Sequence, residues 1–306
     1  MTAPEGTSPA RMTGLAIAGI LLLFAAQLAL RFSSSLIHDS AWYLYVAQGL
    51  LQGKKLYVDF VEVNPPLGMW LALPAAWAGQ VTGASAVGWF YALLFAATAA
   101  VLGLSWRYLE QGEHQPLLLV AIAAVLLFAP GDNFGQREHF MLLMVLPWVL
   151  LRLQARPIAR WWERALVGAV AALGIALKPH AVFVPLFVEA VLLWQRRNWR
   201  RLFDVENLAA LAAVVVYAAV IALSASVFFS EIIALGRAAY LPYYGFPESL
   251  VLLDAKWAVI FMALALFGIR NKAVQVLWAA AAGFLVAYAL QNKGFTYHIL
   301  PATSFA

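Results

Sequence analysis

The chain has 306 residues, is 64% hydrophobic and only 11% charged, and has a mean hydropathy of +0.81, which excludes a water-soluble globular protein. Cysteine is absent, so disulfides and thiolate metal sites are excluded as well. The net charge of +5 does not imply a nucleic-acid partner, because the basic residues sit in short connections between apolar runs, as positive-inside topology requires.

A bilayer leaves backbone polar groups no partners but one another, and the apolar runs are continuous rather than alternating, so helices are predicted over strands. Ten runs lie near 14–31, 66–82, 86–108, 116–130, 139–153, 165–178, 179–195, 207–229, 250–268 and 273–290. No clean small-x-small cleavage site follows the first, which is read as an uncleaved span. Arg152, Arg156, Arg160 and Arg164 in one connection, Arg196, Arg197, Arg200 and Arg201 in a second, and Arg270 with Lys272 in a third mark the cytoplasmic side. Arg107 agrees with them, and Arg11 agrees only if one early run does not cross. Run 66–82 is the one chosen: it opens at Pro65-Pro66, carries Pro74 and closes on Gly79 and Gly83. The expectation is an all-α polytopic membrane protein, one domain over 1–306, with about nine spans and the N-terminus inside. A large first outer loop with interfacial helices covers about 32–85, and a second outer loop about 131–138. The sequence ends on Ser304-Phe305-Ala306 at the onset of another apolar run, as a truncated chain would.

Behind the first span, residues 40–52 have the period of a short amphipathic helix lying in the membrane plane, with Tyr45, Gln48 and Gln52 on one face and Trp42, Val46, Gly49 and Leu50 on the other. Asp39 or Ser40 falls at the N-cap position and Gly53 at the stop. Asp39 is either a simple cap or a carboxylate kept ionised at a helix N-terminus, ready to accept a proton. Lys54 and Lys55 fall at headgroup level, where they meet either a ligand phosphate or anionic lipid. Asp59 and Glu62 add carboxylates before the proline pair, and one of them is a candidate partner in a site.

An aspartate just after the first span, followed by Tyr43, Ala47, Gly49-Leu50-Leu51, Gly53, Tyr57, Asp59 and Asn64-Pro65-Pro66-Leu67, resembles the first outer loop of GT-C membrane glycosyltransferases. The protein O-mannosyltransferase and aminoarabinose transferase type is the most similar. The resemblance implies a GT-C-like transmembrane helical bundle in the bacterial inner membrane, with its site facing the periplasm. It also implies a polyprenyl-phosphate sugar as donor, an envelope glycan, lipid or protein as acceptor, and Asp39 as the catalytic centre. Many relatives carry a second acidic residue directly after the first; here that position is Ser40.

The second outer loop, Gly131 to His139, gathers Asp132, Arg137, Glu138 and His139 at the edge of the lipid. It is either a solvated turn or part of the site; in the families resembled, this loop also brings an acidic residue, which adds Asp132 and Glu138 to the catalytic candidates. Arg137 suits bidentate phosphate binding. Glu138 and His139 suit acceptor positioning or a divalent metal, but they lack the i,i+4 spacing that puts two ligands on one helix face, so no metal is assigned. Lys178-Pro179-His180 turns between two runs, with Lys178 either snorkelling or binding phosphate and His180 beside it as a binding candidate. Tyr240, Tyr243 and Tyr244 either stack on a ligand, Tyr243 foremost, or form an interfacial belt. Lys293, Tyr297 and His298 gather further donors on the outer side. Two competing readings are a transporter or lipid flippase, which should show internal repeats and mid-span charges, and a non-catalytic subunit of a polysaccharide assembly complex.

Overall fold

The computed structural model describes residues 9–32, 34–154, 158–240, 256, 263, 270–291 and 293–306. Among these no strand forms; a lone bridge joins Leu56 to Phe60. The helices are α1 (Pro9–Phe32), α2 (His38–Leu51), α3 (Leu67–Thr82), α4 (Ala86–Tyr108), α5 (Gln115–Phe128), α6 (Arg137–Leu153), α7 (Trp161–Ala176), α8 (Phe183–Arg196) and α9 (Val205–Ser224). They are followed by α10 (Ile233–Leu235), set between π-helical turns, then α11 (Lys272–Gln291) and α12 (Leu300–Phe305). Packing runs α1 on α5, α2 on α3, α3 on α4, α4 on α6, α6 on α7, α7 on α9, and α8 on α11.

Among the described residues, four helical stretches, Arg11–Phe32, Ala86–Tyr108, Val205–Ser224 and Lys272–Gln291, are long and apolar enough to cross a membrane, against the nine spans expected of the whole chain. Helices α3, α5, α6, α7 and α8 have 14 to 17 residues, about 21–26 Å at 1.5 Å per residue. The expected run 250–268 falls outside the described residues apart from 256 and 263.

Polar contacts mark two opposite ends of the bundle. At one end the Arg152 side chain is fully buried among carboxylates: Nε lies 2.7 Å from Glu189, and Nη1 lies 2.8 Å from Asp204 and 2.7 Å from Glu206. Arg164 holds the other oxygen of Glu206 at 2.6 Å, and Arg196 donates to the carbonyls of Arg152 and Leu153. These arginines, expected as topology signals alone, are thus also tied into structure. A guanidinium this deep is tolerable only because its N–H groups face anions. Tyr108, closing α4, donates to Glu163 at 2.7 Å, which brings the ends of α4 and α7 to the same level.

At the other end stand Arg137, opening α6, and Lys178, just past α7. Helix α3 begins there, because Asn64 contacts Arg137, and it also finishes there. Gly79 packs on Ala86, the first residue of α4, Trp89 Nε1 donates to Thr82 at 2.9 Å, and the neighbouring Phe90 meets Gly135 and Phe140. Both ends of α3 therefore lie at the Lys178 end, above the helices that join the two ends.

Candidate functional site

Helix α2 is amphipathic as its period predicts: Tyr43, Leu44, Val46, Ala47 and Gly49 are buried while Tyr45 and Gln48 face out. Gly53 follows it at φ +86°, a left-handed conformation that favours glycine. Asp39, however, is not a cap. Ile37 occupies the N-cap position without a capping side chain, and Asp39 sits inside the first turn, with His38 Nε2 2.8 Å from its Oδ1. The next residue, Ser40, is fully buried and donates to the carbonyl of Gly135 at 3.0 Å, so the first turn of α2 is tied to the loop that precedes α6.

The two loops, the turn after α7 and the end of α11 line an open cavity of about 130 Å³ whose polar groups come from Asn64, Arg137, Lys178, His180, Gln291 and Lys293. Arg137 Nη1 donates to Asn64 Oδ1, and its guanidinium lies 5.8 Å from the centre of the Tyr43 ring, one turn beyond Asp39. The buried Glu138 is ion-paired to Lys178, has His298 Nε2 at 3.6 Å, and Lys178 also donates to Gln291 Oε1 at 2.7 Å. Asp39 does not line the cavity, but its charge acts on Lys178.

Burial pushes the Lys178 ammonium down; Glu138 opposes this and Arg137 adds to it, leaving the group at about 8. His180 is pushed down to about 4, first by burial and then by Lys178 and Arg137. His298 is held well below the usual imidazole range by burial and by the same two cations. Both imidazoles are therefore neutral at neutral pH. The cavity combines the permanent cation of Arg137 and an ammonium that is charged at neutral pH with neutral donors, the chemistry of an anion site.

The structure thus brings together Arg137, Glu138, Lys178, His180, Lys293 and His298, leaves Asp39 outside the cavity one turn before Tyr43, and places the remaining candidates elsewhere. Glu62 is buried in the first loop, where it accepts from Trp42 Nε1 at 2.8 Å and, at 2.7 Å each, from the backbone N–H groups of Val63 and Asn64 and the Asn64 side-chain amide. A carboxylate with four donors is a loop organiser, not a ligand for substrate. Asp59 accepts from the Lys55 backbone N–H at 2.6 Å and is exposed. Lys54 and Lys55 are exposed too, with the Lys54 ammonium 5.6 Å from the Phe60 ring. Asp132 is exposed in a 3₁₀ turn. His139 turns away from the cavity, accepting from the Gly135 N–H at 3.1 Å and packing on Phe134 with ring centres 4.6 Å apart; it cannot serve Glu138 as a fellow metal ligand there. Among the described residues no group of three His, Asp or Glu side chains is placed to hold a metal ion. Tyr243 lies outside the described residues.

Asn64, Gln291 and Tyr43 are site residues that carry no charge to announce them. For Asn64 one signal was present, its place directly before the proline pair. Tyr57 adds a backbone clue: it holds φ +66°, uncommon for a side chain of this size, and its hydroxyl donates to the Asn64 carbonyl at 2.7 Å.

Beside this cavity, a mostly apolar groove of about 210 Å³ runs between α6, α7, α8 and α9. Ile175 and Val182 line it, on either side of the Lys178–His180 turn, and Val182, Leu211 and Val214 on its wall are exposed. The chain matches no family model, and no curated protein or solved structure is significantly similar to it.

Proposed function

We propose that this protein is a membrane glycosyltransferase of GT-C type that takes a sugar from a polyprenyl-phosphate donor and transfers it to an envelope glycan, lipid or protein acceptor on the periplasmic face. The observation that carries this reading is the adjacency of the cationic cavity at Arg137 and Lys178 to an apolar groove whose wall is exposed on the side of the bundle. A lipid phosphate needs both: donors for its head and an apolar surface for its tail, reached without leaving the bilayer.

In the proposed reaction an acceptor oxygen or nitrogen attacks the anomeric carbon as the bond from that carbon to the phosphate oxygen breaks. The bonding pair leaves on the phosphate, where Arg137 and Lys178 offset the developing charge. The acceptor proton goes to Asp39, which holds its place in the first turn of α2 near the cations. One displacement inverts the anomeric centre. Glu138 sets the position of Lys178 rather than acting on the acceptor, since the ion pair occupies it.

The same reading takes about nine spans. Helices α1, α4, α5, α6, α7, α8, α9 and α11 cross between the two ends, α3 lies along the outer face in the bacterial inner membrane, and the apolar run 250–268 of the sequence, outside the described residues apart from 256 and 263, is the candidate for the ninth. The positions of Tyr108 beside Glu163 and of Thr82 beside Trp89 support this arrangement.

The test is transfer from a radiolabelled polyprenyl-phosphate sugar in membranes containing the Asp39→Asn protein. The expected result is a loss of turnover of about a hundredfold or more with the protein still folded. Full turnover in folded protein overturns the assignment of Asp39, and lipid translocation without transfer in wild-type protein favours a flippase.

A further inference from the structure

The chain from Glu62 to Arg137 contains an asymmetry that a simple loop staple does not need. The Asn64 side-chain amide has two unlike ends, and both are assigned: Nδ2 donates to Glu62 Oε1 at 2.7 Å, and Oδ1 accepts from Arg137 Nη1. Because a carboxylate can only accept, Glu62 dictates which way the amide points. Its own position is set by Trp42 Nε1 on one oxygen and by two backbone N–H groups on the other. The Tyr57 hydroxyl holds the Asn64 carbonyl, and the Tyr43 ring lies on another side of the guanidinium.

We propose that Glu62 and Asn64 are positioning residues: the Glu62 carboxylate fixes the Asn64 amide, and the amide oxygen fixes the Arg137 guanidinium at the cavity wall in the orientation that takes a ligand phosphate. This rests on the phosphate-binding reading of the cavity. If Glu62 could not accept, the amide would be free to flip and present its NH2 group to a guanidinium that has only donors. Arg137 Nη1 would then lose the acceptor that faces it. A fork already oriented gives up less freedom on forming two bonds to a phosphate, so the relay acts on affinity and not only on folding.

The test uses the full chain in lipid nanodiscs, with polyprenyl monophosphate and the corresponding polyprenol as probes. Bound fraction is read by native mass spectrometry and the unfolding midpoint by circular dichroism. Arg137→Ala is the reference for losing the phosphate contact. The double variant Glu62→Met with Trp42→Phe removes the acceptor that faces Asn64 at similar side-chain volume, and the phenylalanine removes the indole N–H that would be left unpaired. Asn64→Leu leaves Glu62 its other three donors and keeps the test open should the double variant fail to fold. Both are expected to weaken polyprenyl monophosphate by about tenfold and polyprenol by less than about twofold. Trp42→Phe alone leaves the Glu62 oxygen that faces Asn64 its three donors, so it should lower the midpoint and change both affinities by less than about twofold. Wild-type phosphate affinity in the folded Glu62 or Asn64 variants, with Arg137→Ala still defective, overturns the relay and leaves the phosphate reading standing. Wild-type affinity in Arg137→Ala overturns both.

Discussion

Ser40 Oγ donates to the Gly135 carbonyl at 3.0 Å across 95 positions of sequence, and the contact joins the first turn of α2 to the loop that leads into Arg137. Next to Asp39 the resemblance anticipates a second acid, yet the structure has no room for one. Gly135 presents a carbonyl, and a carboxylate facing it would be a buried acceptor against an acceptor. Ser40→Ala should cost about 1–3 kcal/mol for the unpaired carbonyl. Ser40→Asp should cost more, about 3–5 kcal/mol, as an uncompensated buried charge. Thermal unfolding in detergent measures both; an aspartate variant as stable as wild type would show that the loops do not meet in this way.

Lys178 gives the cavity a pH dependence. With its ammonium at about 8, the cation is present below that pH and is lost as pH rises through it. Binding of a polyprenyl phosphate should therefore weaken by up to about tenfold between roughly pH 7 and 9.5, a range in which the phosphate itself no longer changes charge. Lys178→Arg should flatten the profile, since a guanidinium keeps its proton there. Titration by isothermal calorimetry decides it: a flat wild-type profile removes Lys178 from the binding set.

Much of the local structure was legible in the residues, and the reason is periodicity. The buried and exposed faces of α2, the glycine stop at Gly53 and the helical character of the chain all follow from spacing alone. What spacing could not decide is whom a polar side chain faces. Asp59, Glu62 and His139 have the same chemistry as site residues, but each is taken by local backbone N–H groups, or by Trp42 twenty positions away. Asn64 went unassigned because a neutral amide announces no charge, although it lies between Glu62 and Arg137. Arg152 reads as a surface charge in sequence, and only the fold shows that Glu189, Asp204 and Glu206 surround it.

That buried cluster should dominate stability without touching the Arg137–Lys178 cavity, because it lies at the opposite end of α6. Arg152→Ala would leave Glu189 and Glu206 facing each other without their shared cation, at a cost of about 3–5 kcal/mol. Arg201→Ala, which removes partly exposed contacts to Asp204 at 3.2 Å and to the Gln154 carbonyl at 3.4 Å, should cost less, about 1 kcal/mol. Denaturation of the two variants side by side checks the contrast; equal losses would mean that Arg152 is not buried among carboxylates.

Two glycines in helices separate packing from propensity. Gly168 on α7 lies against the backbone of Glu206 on α9, and a Cβ there would run into the Glu206 carbonyl oxygen and Cα. Backbone cannot swing aside as a side-chain tip can, so Gly168→Ala must drive α7 and α9 apart. Glu206 also holds Arg152 and Arg164, and the displacement therefore reaches the ion cluster. A loss of about 1–3 kcal/mol is expected, which lowers the unfolding midpoint by several degrees for a chain of this size. Gly103 on α4 meets nothing within 4 Å of a built Cβ, so Gly103→Ala should be neutral or stabilising by up to about 1 kcal/mol. The pair also bears on the groove, since Gly168 lines it and Gly103 does not. In the folded fraction, Gly168→Ala should weaken polyprenol as much as polyprenyl phosphate, because the change lies along the tail and not at the head. Equal unfolding midpoints for the two variants would refute the close approach of α7 and α9. A loss of phosphate ligand alone would place the tail elsewhere on the bundle.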